Sequence, residues 1–264
     1  MLEIKNIHKS FGNLHVLQDI SLSIGKGEIA AIVGPSGAGK TTLLQIMGTL
    51  EKPDSGSVVF NGIDLIGMKD RRLSAFRNKN MGFVFQFHQL LPEFTAQENV
   101  ALPALIAGTS KKKAMEKATA LLTQLGLGER MHHKPAAMSG GERQRTAIAR
   151  ALINDPEIIF ADEPTGSLDS ANRQEIQDIF VDLRDRLGQT VVMVTHDSSL
   201  AAIADRVIEM ADGKVLPPAL EIEFDTVDIP ENDSLPIVDA LDTRRDRSEN
   251  LVGDGVEKIG ESID

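Results

Sequence analysis

Residues 34–42 read Gly34-Pro35-Ser36-Gly37-Ala38-Gly39-Lys40-Thr41-Thr42, a fit to the phosphate-loop pattern G-x-x-x-x-G-K-[ST]. A triphosphate needs several N–H donors converging on its oxygens, and only a tightly curled backbone supplies them. Gly37 and Gly39 permit the curl because they lack a Cβ. Lys40 brings a point charge to the β/γ-phosphates and Thr41 a hydroxyl to Mg²⁺. The flanks agree. Glu28–Val33 is apolar enough for a buried strand, and Thr41–Met47 reads as a helix. A chance glycine-rich turn would not carry both.

A second anion site is written at 139–145, Ser-Gly-Gly-Glu-Arg-Gln-Arg, opening a helical stretch through Ile153. Ser139 suits an N-cap and Glu142, three residues on, completes a capping box. Gly140 and Gly141 leave backbone N–H groups open where the helix dipole favours an anion. One chain with one nucleotide has no use for a second such terminus. It makes sense if it caps the nucleotide of another subunit.

With these two motifs the chain resembles ATP-binding cassette (ABC) proteins, and Ser139–Arg145 resembles their signature. The resemblance covers about residues 1–216 and extends to four more motifs in order. Ile158–Asp162 resembles the Walker B strand, with Glu163 directly after it. Gln86, behind Met81–Phe85, resembles the Q-loop. Ser167-Leu168-Asp169 resembles the D-loop. His196, behind Val191–Thr195, resembles the switch histidine, and Phe11 stands where the family places an aromatic on adenine. The resemblance implies the cofactors ATP and Mg²⁺. It implies Glu163, His196 and Gln86 as catalytic residues and Thr41, Gln86 and Asp162 as the metal's ligands. Phe11, residues 34–42, Ser139, Gly140, Gly141 and Asp169 are then the nucleotide's contacts. It also implies a head-to-tail homodimer, each signature closing on the partner's ATP. Each role has a chemical reason. A carboxylate ending an apolar strand is costly to bury unless a cation relieves it, which suits Asp162. A second carboxylate beside it, Glu163, can take a proton from an attacking water. Three positions depart from the common pattern: Met138 for Leu, Glu142 for Gln, and Phe11 for Tyr.

The implied fold is α/β. It is a phosphate-loop NTPase with a mostly parallel core sheet, an antiparallel β-subdomain, and an α-helical subdomain at about 88–155. Leu2–Ile7 and Val16–Ile24 read as antiparallel strands; Ala30–Val33, Met81–Phe85, Ile158–Ala161 and Val191–Thr195 read as core strands. Ala96–Ile106, Lys111–Leu125 and Gly141–Ile153 read as helices. Arg143, Arg145 and Arg150 read as the polar side of the last one.

The chain has 264 residues and a net charge of −11, which argues against non-specific nucleic-acid binding. The charge is uneven. Residues 217–264 hold 14 acids and 4 bases, against 25 and 24 in residues 1–216. We therefore expect an ATPase domain at 1–216 and a partly disordered acidic extension at 217–264. Within the extension, Leu220, Ile222 and Phe224 alternate with acids, as in a strand. There is no cysteine, no signal-peptide pattern, and no run of the roughly 20 apolar residues a spanning helix needs. Membrane contact is expected only through partners.

Phe87–Val100 narrows the resemblance to ATPase subunits of bacterial lipoprotein-releasing transporters. Close relatives drive macrolide or peptide export or partner a cell-division permease. The apolar group Phe87, Leu90, Leu91 and Phe94, beside Gln86, suits contact with an integral-membrane permease or a place in the core. The implied location is peripheral, on the cytoplasmic face of the inner membrane. A soluble ABC protein acting on ribosomes would need two cassettes, and a DNA-repair ABC protein a long coiled coil; neither is written here. A regulatory nucleotide-binding module would not need Glu163.

Overall fold

The computed structural model describes residues 1–166 and 168–217. Ser167 and the alternating segment that begins at Leu220 lie outside the described residues.

Among the described residues, ten strands form two sheets. β1 (Leu2–Phe11), β2 (Leu14–Ile24), β4 (Ser55–Phe60) and β5 (Ile63–Asp64) make an antiparallel sheet in the order β2-β1-β4-β5. Its inward residues, among them Leu2, Ile4, Ile7, Ile20 and Ile24, are fully buried. The second sheet contains β3 (Ile29–Val33), β6 (Met81–Val84), β7 (Ile158–Asp162), β8 (Thr190–Val194), β9 (Arg206–Ala211) and β10 (Lys214–Val215). Its order is β10-β9-β3-β8-β7-β6, parallel except for the edge strand β10.

The parallel strands are apolar on both faces because helices cover both. Along β3, Ala30 and Ile32 join the core that holds Leu43, Ile46 and Met47 of α1 (Lys40–Met47). Ile29 and Ala31 face the other way. They meet the core that holds Ile148 of α5 (Gly140–Leu152) and Ile176, Phe180 and Leu183 of α6 (Ser170–Leu187). A third cluster ties α3 (Ala96–Ile106), α4 (Lys111–Gln124) and α5 into a helical layer through Val100, Ala104, Ala118, Leu122 and Ala149. Two further helices, α2 (Asp70–Asn80) and α7 (Ser198–Ala201), complete the set.

Several expected element boundaries shift by one to four residues. β1 runs on to Phe11, β2 begins at Leu14, and α5 begins at Gly140. The β1–β2 hairpin keeps pairing up to Phe11 opposite Leu14. α3 keeps Pro103 in its interior, where Asn78 Nδ2 donates to the Pro103 carbonyl at 3.2 Å.

The strand order positions the site. β3, β8, β7 and β6 lie side by side and parallel, so their C-terminal ends open on one edge of the sheet. The phosphate loop follows β3, His196 follows β8, Asp162 ends β7 with Glu163 next, and Gln86 follows β6.

Candidate active site

The phosphate loop curls as its glycines allow. Gly34, Gly37 and Gly39 have φ of 147°, 83° and 94°. Gly34 is also sterically fixed, since a Cβ there would sit 2.1 Å from the Met210 carbonyl oxygen of β9. Pro35, Ser36 and Gly37 are exposed along the loop, and Ala38 turns inward. Gly39 is the N-cap of α1 and offers no side-chain cap, so the first N–H groups of α1 face the loop without a side-chain acceptor. Lys40 is buried, and its Nζ donates to the Gly34 and Pro35 carbonyls at 2.9 Å each. Thr42 lies half-buried on the first turn. This is a cradle for an anionic phosphate.

Thr41 Oγ1 donates to Asp162 Oδ1 at 3.0 Å, joining the first turn of α1 to the end of β7. Burial pushes the Asp162 carboxyl above its usual range. The neighbouring Glu163 pushes the same way, while the Thr41 hydrogen bond and Lys40 oppose them. Asp162 is therefore a carboxylate that a cation would relieve. Among the described residues, no three His, Cys, Asp or Glu converge to hold a metal unaided. A hydroxyl, one carboxylate and phosphate oxygens together make the oxygen set that Mg²⁺ takes. The donors present fit that ion.

Glu163 has a left-handed backbone, φ 46°, unusual for a residue with a Cβ. Its N–H donates to the Val194 carbonyl at 2.9 Å, which ties it to the end of β8. His196 Nδ1 lies 2.8 Å from Glu163 Oε1, and the His196 N–H donates to Oε2 at 3.4 Å. The imidazole is 69% exposed and the carboxylate 13%. Asp197 caps α7 by accepting from the Ser199 N–H at 2.9 Å, which fixes the residue after His196. Gln86 is half-buried, and a Cβ at Gly166 would come within 3.3 Å of its Nε2. Its amide therefore faces the turn that starts at Glu163.

Phe11 is 51% exposed at the end of β1, with Lys9 Nζ 4.9 Å from the ring centroid. Its ring is outside the core.

Residues 139–142 form the expected capping box. The Glu142 N–H donates to Ser139 Oγ at 3.2 Å, and the Ser139 N–H to Glu142 Oε2 at 2.7 Å. A Cβ at Gly141 would lie 2.0 Å from Asn172 Oδ1, so only glycine lets α5 start this close to α6. Asn172 in turn donates from N and Nδ2 to Asp169, the N-cap of α6, at 2.9 and 2.8 Å. Asp169 is thus next to the signature of its own chain. No hydrogen bond or ion pair joins 139–142 to 34–42 among the described residues. The two helix starts are therefore not joined by direct polar contacts.

Several residues escaped the sequence reading. Arg150 is more than a polar face: its guanidinium donates to the His88 and Gln89 carbonyls at 2.8 and 2.7 Å. Those two residues are both left-handed, φ 59° and 45°, and form the turn just past Gln86. His88 is buried with Nε2 unpaired; burial and Arg143 hold its pKa below the usual histidine value. Asn99, fully buried, accepts from the Leu91 N–H and donates to the carbonyls of Leu91, Phe94 and Thr95. These ties hold the loop so that Phe87, Leu91 and Phe94 stay exposed, at 76%, 41% and 37%, with Leu90 half-buried. Of the two expectations for this cluster, the structure bears out surface and not core. Asn99 directly follows Gln97 and Glu98, so nothing local set it apart as the buried one.

The fold and this edge define a phosphate-loop cassette, with a second, remote helix start closed by a capping box. Residues 17–166 match the ABC transporter family. A "Lipoprotein-releasing system ATP-binding protein LolD" of Bacteroides thetaiotaomicron is 61% identical over 81% of this chain and 99% of its own length. One of Porphyromonas gingivalis with the same name is 56% identical over 81% and 97%. A solved dimeric ATP-binding cassette in a post-hydrolysis state, bound to ADP and Pi, superposes with a TM-score of 0.77 at 40% identity. It covers 82% of this chain and 97% of that one. The chain belongs to the ABC transporter family, as an ATP-hydrolysing, ATP-binding cassette.

Proposed function

We propose that this chain is the ATPase subunit of a lipoprotein-releasing transporter. It would work as a homodimer beneath an integral-membrane permease, on the cytoplasmic face of the inner membrane. The observation that carries the reading is the 61% identity to a lipoprotein-releasing ATPase over nearly that protein's full length. Among the described residues no helix is long and apolar enough to cross a membrane, so membrane attachment is assigned to the permease. The exposed Phe87, Leu91 and Phe94 support that contact. So does an adjoining groove of about 420 Å³, lined by Phe83, Phe85, Gln89, Ile106 and Arg150.

The geometry supports the following residue roles. Residues 34–42 and the open end of α1 cradle the phosphates, with Lys40 as their charge and Phe11 stacked on adenine. Thr41 and Asp162 would hold Mg²⁺, with Gln86 beside them; the ion supplies charge neutralisation for the transferred phosphoryl. Glu163 accepts the proton of the attacking water. His196, at 2.8 Å, orients the Glu163 carboxylate. Ser139, Gly140 and Gly141 serve the partner's nucleotide, and Asp169 lies beside that contact. We assign residues 1–216 to the ATPase domain, with its helical subdomain at about 88–155, and 217–264 to a separate acidic extension.

The test is co-purification of the tagged full chain from membranes, followed by reconstitution of the complex that comes with it. ATP-dependent release of lipoproteins, lost with Glu163→Gln, is the expected result. Export of a macrolide or peptide, or retrieval of a cell-division permease, would overturn the assigned cargo. Failure of the reconstituted complex to hydrolyse ATP would overturn the roles of the site residues.

A further inference from the structure

Arg130 sits on a short 3-10 turn, Gly128–Arg130, nine residues before the signature. Its Nε lies 2.9 Å from Glu142 Oε1. The other oxygen, Oε2, accepts from the Ser139 N–H at 2.7 Å. Both oxygens of Glu142 are therefore committed, one to the backbone and one to a cation. Glu142 is 17% exposed and Arg130 48%, so the guanidinium reaches in from the surface. The neighbouring arginines are spent elsewhere: Arg143 donates to the Met138 carbonyl at 2.7 Å, and Arg145 pairs with Glu175. Arg130 is the one cation paired with Glu142 among the described residues.

The Ser139 N–H, with Arg130 adding to it, holds the Glu142 carboxyl below the usual carboxylate range. The group is thus an anion at neutral pH, at a helix end whose proposed ligand is also an anion. Left unbalanced, it would repel that ligand.

We propose that Arg130 is a positioning residue for the composite ATP site, neutralising Glu142 so that the start of α5 can receive the nucleotide held by a second copy of this chain. This rests on the reading that the signature serves the partner's nucleotide. Arg130 acts through Glu142 and does not touch the nucleotide of its own chain.

The test uses the full chain carrying Glu163→Gln, with ATP-dependent dimerisation followed by analytical ultracentrifugation at low salt and nucleotide affinity measured separately. Arg130→Gln should weaken the ATP-dependent dimer about threefold per site, hence about tenfold for two sites, with ATP affinity of the monomer unchanged. Arg130→Lys should restore most of the loss. The difference between Arg130→Gln and the parent should shrink as salt screens the repulsion. In a Glu142→Gln background, Arg130→Gln should cost nothing further. Unchanged dimerisation of Arg130→Gln would overturn the proposal, and so would an equal loss with Glu142→Gln present. If the Glu163→Gln parent itself forms no ATP-dependent dimer, the composite-site reading falls and takes this role of Arg130 with it.

Discussion

Asp162 and Glu142 are carboxylates at the two proposed anion sites of this chain, and their surroundings are opposite. Asp162 is half-buried at the end of β7 beside another acid, and its pKa is raised. Glu142 caps its own helix, pairs with Arg130, and its pKa is lowered. Among the described residues, the first end carries a carboxylate with no cationic partner closer than the opposing Lys40, which suits the proposed cation. The second is charge-balanced by the chain itself. On the proposed roles, the acid assigned to a metal is kept costly, and the acid that caps a helix is kept satisfied.

Variants can break that contrast. The largest effect is expected at the first end: Glu163→Gln should lower ATP turnover by ~10²–10⁴-fold while ATP still binds. Steady-state hydrolysis and equilibrium binding on the same preparation check both halves. Near-normal turnover in the assembled transporter would remove Glu163 from its role.

At the balanced end, Ser139→Arg should lower turnover by about 10²-fold with binding to the monomer preserved. A mixed dimer carrying Lys40→Ala on one chain and Ser139→Arg on the other should keep one working site. Loss of ATP binding by isolated Ser139→Arg chains would place the signature in its own chain's site and erase the distinction between the two ends.

Phe11→Ala should weaken ATP binding about tenfold, measurable by calorimetry. Unchanged affinity would give the adenine another support.

The smallest effect concerns stability and sharpens the contrast most directly. The folded-state pKa of Asp162 lies above its unfolded value, so folding favours the protonated form. Its contribution is present below the unfolded pKa and is lost as pH rises through the folded one. At neutral pH the ionised side chain is therefore a net cost, and Asp162→Asn should raise the melting temperature of the nucleotide-free protein. Removing Glu142 should do the reverse, because its lowered pKa stabilises the fold above the unfolded value and loses that stability on acidification. Thermal melts at pH 7 and pH 4 separate the two signs.

Most of the nucleotide edge was legible in the sequence because its parts are short motifs tied to strand ends. Gly34–Thr42, Asp162, Glu163 and His196 each follow an apolar run whose parallel pairing brings them level. What stayed hidden depended on long-range partners. Nothing local in Arg150 announces that it holds the carbonyls of residues 88 and 89, some 60 positions away. Nothing in Arg130 announces Glu142, since the pairing depends on how a 3-10 turn meets the start of α5. α2 escaped because none of its residues is buried, so no apolar stripe marks it. Glu163's left-handed backbone is likewise set by the Val194 carbonyl of another strand.

The close approach of Gly34 to Met210 has a consequence for the order in which the protein is made. β3 is synthesised early, yet both of its sheet neighbours, β8 and β9, come from residues 190–211. The Met210 carbonyl that walls the phosphate loop comes near the end of β9, and the Gly213 carbonyl that accepts from the Gln18 N–H is later still. A nascent chain that has emerged only as far as α6 carries the whole phosphate loop and Walker B strand without the strands that flank β3. Such non-local closure is slow and must wait for its last partners. The growing chain should therefore become able to retain nucleotide late and abruptly, once β9 and β10 have left the ribosome.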